Sequence, residues 1–199
     1  LVFMNLDNGY MGNLGPKVGL MMGQEYGSSL LVNLKNVQVI NNLFYGNHRN
    51  LFWYTGDIGG AGMTDVLIAN NTFANGSGDS SGGNANVILD EGVNTNVRFI
   101  NNIVLQDNQL PLISIEDLSG ISHSYNLWSK NPGFTLTVGE AIADPAISRL
   151  GSPFEAGWFE LLGTSPAINK SIILPEVPND FRSRYRGVDP DIGAMEYFP

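Results

Sequence analysis

The chain has 199 residues, 43% of them hydrophobic and 15% charged, with 10 basic against 19 acidic side chains and no cysteine. A chain of this size buries a real core as one domain. Its net charge of −9 leaves no surplus of Lys and Arg to displace counterions from nucleic acid, and the missing thiols exclude disulfides and thiolate chemistry. No apolar run approaches the ~20 residues that a helix needs to span a bilayer.

In chain order, Leu1 to Met4 open in strand character without a charged-then-apolar leader, which reads as a mature form or a piece of something longer. A first rung built from Leu1, Phe3 and Leu20 would present an open edge, to be covered by upstream coils of a longer chain or by further copies of this one. Asparagine is overused: 23 residues, 21 of them before Pro132. The excess belongs to a repeated phrase. Val37-Gln38-Val39-Ile40-Asn41-Asn42-Leu43-Phe44 returns as Val66 to Phe73 and as Val97 to Val104, with a worn copy from Ile121 to Trp128. Between the copies runs a second recurring strand: Val18 to Met22, Leu51 to Tyr54, Asn86 to Leu89 and Leu112 to Ile115. Strand alternation is plain and helical periodicity is absent across residues 18 to 128.

Short strands at an irregular period, with variable loops between them, describe an all-β solenoid in which each coil pairs with the next. The recurring Asn tolerates a left-handed bend, and its amide can bond the equivalent amide one rung away, so Asn42, Asn71, Asn102 and Asn126 are expected to form a ladder. An ordinary sandwich with Asn-rich turns is the competing fold, but it gives no reason for one phrase to return. Gly56 to Gly62 and Gly76 to Gly83 read as insertions between coils.

These residues resemble the right-handed parallel β-helix proteins of the pectate-lyase-like superfamily. The C-terminal part adds Ser165-Pro166-Ala167-Ile168-Asn169, Asp180-Phe181, Arg186 and Pro190-Asp191-Ile192-Gly193-Ala194-Met195-Glu196-Tyr197, similar to the PDIGAxEY-type closing segment of secreted and surface β-helix proteins of bacteria. The resemblance implies a single-stranded right-handed parallel β-helix of about four coils over residues 1–133. A loop-rich cap over residues 134–199 would pack on the last coil. It also implies a secreted or cell-surface location in a prokaryote, and it fixes no activity.

Alternation along the second recurring strand places Phe52, Tyr54, Val87, Leu89, Ile113 and Ile115 inward, and Trp53, Asp90 and Glu116 outward on one face. Asp57, Glu91 and Glu25 lie just beyond, and Arg49 sits in an adjacent loop. Paired carboxylates beside an outward Trp suit a polysaccharide, with Asp90 and Glu116 as a catalytic pair of a glycoside hydrolase or polysaccharide lyase and Trp53, Asp57, Glu91 and Arg49 as substrate contacts. The same Asp90, Glu116 and Asp57 could instead hold a calcium ion by oxygen ligands. The plainer alternative is a solvated acidic edge. No base of the lyase type lies on this face except Arg49. His123 falls in an inward slot and reads as a bonded core residue. Arg182, Arg184 and Arg186 read as partners of Asp180, Asp191 and Glu196 within the cap. Two functions stand at this point: a module that binds or cleaves an extracellular polysaccharide on its lateral strand face, and a subunit that stacks end-on into a filament or surface stalk.

Overall fold

The computed structural model describes residues 18–23, 34–54, 61–78, 85–90 and 92–199. Their principal strands form three parallel sheets. The first stacks Val18–Gly23, Arg49–Tyr54, Val87–Leu89 and Ile113–Ile115. The second stacks Leu43–Tyr45, Thr72–Ala74, Ile103–Leu105, Leu127–Trp128 and Ala141–Ile142. In the third, Leu34–Lys35 and Gln38–Ile40 both pair with Met63–Ala69, which is followed by Thr95–Ile100 and Ile121–Ser124. The chain visits the third, second and first sheets in turn and then begins again, so strands pair across repeats and not with their sequence neighbours. This nearly all-β arrangement is compatible with a parallel β-helix. The expected first rung from Leu1 and Phe3 lies outside the described residues.

Each copy of the repeated phrase supplies two strands, one on either side of the Asn pair, and the two asparagines divide the work. The first takes the left-handed backbone: φ is 55° at Asn41, 51° at Asn70 and 58° at Asn101, with Tyr125 at 53° in the worn copy. The second forms the ladder. Asn71 Oδ1 accepts from Asn42 N–H and Nδ2 at 2.9 and 3.1 Å, Asn102 Oδ1 accepts both from Asn71 at 3.0 Å, and Asn126 Oδ1 accepts both from Asn102 at 2.9 and 3.2 Å. Each Nδ2 also donates to a main-chain carbonyl, for example Asn71 to Val39 at 2.8 Å and Asn102 to Ile68 at 2.9 Å. The ladder is therefore as expected, but the bend belongs to the preceding residue. A corner turn needs one residue in αL and one amide directed inward, and a single Asn does not serve both ends.

A second buried amide stack stands at another corner, where Asn47 donates to Asn50 Oδ1 at 2.8 Å and Asn50 donates to Asn86 Oδ1 at 2.6 Å. Its sequence signal is an Asn directly before Leu51 and before Val87, two residues that pair in register. Between the corners the interior is apolar, with Phe44 stacked on Phe73 at 4.9 Å and Phe99 on Trp128 at 5.9 Å.

The far end is closed by a short segment around Phe134 to Glu140. Phe134 packs edge-on against Trp128 and on His123. The Glu140 carboxylate, whose side chain has no solvent exposure, accepts from Asn126 Nδ2 at 2.8 Å and Trp128 Nε1 at 3.3 Å and meets His123 Nδ1 at 2.9 Å. An acceptor-only group is what a ladder with an unspent amide donor requires at its last rung. His123 pairs in register with Phe99, so it occupies the inward, hydrogen-bonded position read from the sequence.

Ala141–Ile142 adds a strand next to Leu127–Trp128, and the C-terminal segment then leaves this end. It runs along the flank of the second and third sheets: Ile147, Trp158, Leu161, Ile192 and Met195 pack on Leu43, Ala74, Ile103 and Leu127, while Leu174 and Val177 pack on Leu67, Ala69 and Ile100. The left-handed asparagines hold this strap. Asn41 Nδ2 donates to Asn179 O at 2.6 Å, Asn101 exchanges two bonds with the main chain of Ile172, and Gly193 N–H donates to Asn101 O at 2.8 Å. Most outward side chains of the second sheet are apolar, and the strap takes them out of water.

Candidate functional site

The outer face of the first sheet carries the carboxylates. Ile115 pairs with Leu89, and Glu116 N–H donates to Leu89 O at 3.1 Å, so Asp90 and Glu116 occupy equivalent positions on neighbouring strands. Both line a cleft of about 690 Å3 with Arg49, Phe52, Ser114 and the Pro132–Gly133–Phe134 wall. Arg49 is largely buried and its guanidinium lies 4.6 Å from the centre of the Phe52 ring, an arrangement that fixes the cation at the cleft margin.

Trp53 is not on this face. Phe52 pairs with Ile88 and Trp53 with Leu89, and Trp53 is 1% exposed among Leu51, Val87 and Leu89 in the main core. The expected alternation aligned Leu51 with Asn86, one residue out of register, and such a slip exchanges the faces of a strand. Phe52, expected inward, is therefore the outward aromatic residue, and Tyr54, also expected inward, follows Gly23 in the row that continues through Asp90 and Glu116. Trp53 is corrected from a sugar platform to a core residue. Asp57, Glu91 and Glu25 lie outside the described residues. Among the described residues no group of three or more His, Cys, Asp or Glu side chains is arranged to hold a metal ion. Asp90 and Glu116 are two carboxylates against the six to eight oxygens that calcium takes. Phe134 and Pro132 were missed because they reach the cleft from the end segment, with no repeat to place them.

A second charged cluster lies inside the strap. Arg186 donates to Glu196 Oε1 at 2.5 Å, Asn41 Oδ1 at 2.7 Å, Gly193 O at 2.9 Å and Asp191 O at 3.2 Å. Arg184 pairs with Asp180 at 2.7 Å, whereas Arg182 reaches outside the expected set to Glu160 at 2.5 Å. Burial pushes the Glu196 carboxyl up to about 7, against the pull of Arg186 and the Asp191 N–H, and raises Asp191 as well. Burial also works upward on Asp180, but hydrogen bonds from Arg184 and from the Glu196 and Arg184 N–H groups hold it below its usual value.

These directions fix a pH dependence. Between 4.5 and about 7 the folded state holds a proton on Glu196 that the unfolded chain has released, so its contribution is complete below 4.5 and is lost as pH rises through 7. Asp191 acts in the same sense, and Asp180 acts oppositely, losing its contribution as pH falls below 3.8. Thermal melts are expected to show stability falling from pH 5 to pH 8 by on the order of 1–2 kcal/mol after solvent screening of the cluster, with Glu196→Gln flattening the slope. A slope unchanged in Glu196→Gln would remove Glu196 as its source.

No protein-family model matches this chain, and no curated protein matches it.

Proposed function

We propose that the three sheets are the faces of one right-handed, single-stranded parallel β-helix of about four coils, and that it is an extracellular module of a prokaryotic secreted or surface protein that engages polysaccharide along the first sheet. The observation that carries this reading is the placement of Asp90 and Glu116 side by side in a cleft of about 690 Å3 that also contains Arg49 and Phe52. A cleft crossing the rungs meets a chain ligand with groups repeated at the ~4.8 Å strand spacing, and carboxylates are strong acceptors for sugar hydroxyls. The PDIGAMEY segment, Pro190 to Tyr197, supports the extracellular assignment by resemblance. The alternative, end-on stacking through an open N-terminal coil, rests on Leu1 and Phe3, which lie outside the described residues.

The test is retention on a panel of neutral, acidic and amino-sugar polysaccharides by affinity electrophoresis, with released reducing ends measured in parallel. At least one polymer should be retained, and Glu116→Gln with Asp90→Asn should weaken retention about tenfold or more. Reducing ends that appear with the wild type and vanish in the double variant would make the pair catalytic. No retention on any polymer overturns the proposal.

A further inference from the structure

Every parallel sheet must end somewhere, and the end segment treats the three last strands differently. In the third sheet three outward groups of Ile121 to Tyr125 are met: Ile121 N–H donates to Leu118 O at 3.0 Å, Tyr125 N–H donates to Val138 O at 2.9 Å, and the Thr137 hydroxyl donates to His123 O. In the second sheet, Ala141–Ile142 adds a rung to Leu127–Trp128. The first sheet gets no such cover. Val87 N–H donates to Leu112 O and Glu116 N–H donates to Leu89 O, so residues 112, 114 and 116 turn their main chain toward the preceding strand. Ile113 and Ile115 turn theirs the other way, and among the described residues no group bonds those N–H and C=O groups. They open into the cleft, opposite Pro132, Gly133 and Phe134.

We propose that the Ile113–Ile115 edge is a docking site for an extended peptide of a partner polypeptide, which adds as the next strand of the first sheet. An edge offering N–H and C=O pairs on alternate residues matches the main chain of an extended peptide, and that pattern defines the occupant. The flanking chemistry defines its side chains. Residues on the core side meet Ile113, Ile115 and Phe134 and are apolar. At the carboxyl end of the rung the occupant continues the row Asp90–Glu116, so the residue there is Lys or Arg. Gly133 has open space where a Cβ would stand, which leaves the facing wall clear of the incoming chain. This proposal is independent of the polysaccharide reading, although both ligands use the Glu116 end of the cleft and should compete there.

The test uses the full chain, isotope-labelled for amide NMR, and acetylated, amidated hexapeptides of alternating valine and threonine that end in lysine, glutamate or glutamine. The lysine peptide should shift the Ile113 and Ile115 amide signals, protect them from hydrogen exchange and bind about tenfold more tightly than the glutamate peptide. N-methylation of the peptide on one set of alternate residues should abolish binding, while methylation on the intervening set should leave it. Ile115→Pro removes the outward N–H, along with the Ile115 side chain's packing on the core, and should lose peptide affinity. The methylation pair gives the answer on the unaltered protein if that variant fails to fold. No shift with any of the three peptides, or equal effects of the two methylation phases, would overturn the proposal.

Discussion

Replacing Asn71 with leucine is expected to cost about 4 kcal/mol or more and to leave little folded protein at room temperature. Asn71 is fully buried and works at every one of its polar atoms. Its Oδ1 takes the N–H and the amide of Asn42, and its Nδ2 serves Val39 O and Asn102 Oδ1. Leucine nearly matches the shape and strands several buried groups at once, each costing roughly 1–3 kcal/mol when left unpaired. The neighbouring Asn70→Gly should cost only about 1 kcal/mol, because glycine adopts the left-handed backbone readily and the Asn70 contacts to Asp191 O and Gly193 O are long, at 3.4 Å. Denaturant unfolding of the two variants side by side measures the contrast. Equal losses would mean that the bend and the ladder are not separable functions of the Asn pair.

Arg186→Met is expected to cost about 3–5 kcal/mol and to release the strap before the sheets melt. The guanidinium is 6% exposed in its residue total and joins the strap's own carbonyls to Asn41 at the sheet corner. Its removal leaves Glu196 and Asp191 buried without the cation that offsets them, and takes a donor away from three carbonyls. The measurement is limited proteolysis between residues 143 and 199, read together with the melting curve. Combining Arg186→Met with Glu196→Leu should recover much of the loss, since an apolar pair carries no stranded charge. A single variant that resists protease like the wild type would show that the apolar contacts of Trp158, Ile192 and Met195 hold the strap unaided.

The same two residues show where reading the sequence succeeds. The return of Asn-Asn at Asn41, Asn70 and Asn101 was sufficient for strands that pair across repeats and for a ladder through Asn42, Asn71, Asn102 and Asn126, because a buried amide at every corner has no partner except its own equivalent. The resemblance of the closing segment likewise pointed to late arginines paired with late acids, and Arg184 pairs with Asp180 and Arg186 with Glu196.

Local sequence determined the strands, the turns and the identity of the repeated unit. Tertiary structure alone decided the rest, for two physical reasons. Strand register depends on contacts between coils, and a one-residue offset in an aligned strand was enough to move Trp53 from the solvent face to the core and to bring Phe52 out beside Arg49. The strap carries no repeat at all, so its course along the second sheet follows only from which apolar surface it can cover, and that surface exists only once the coils are stacked.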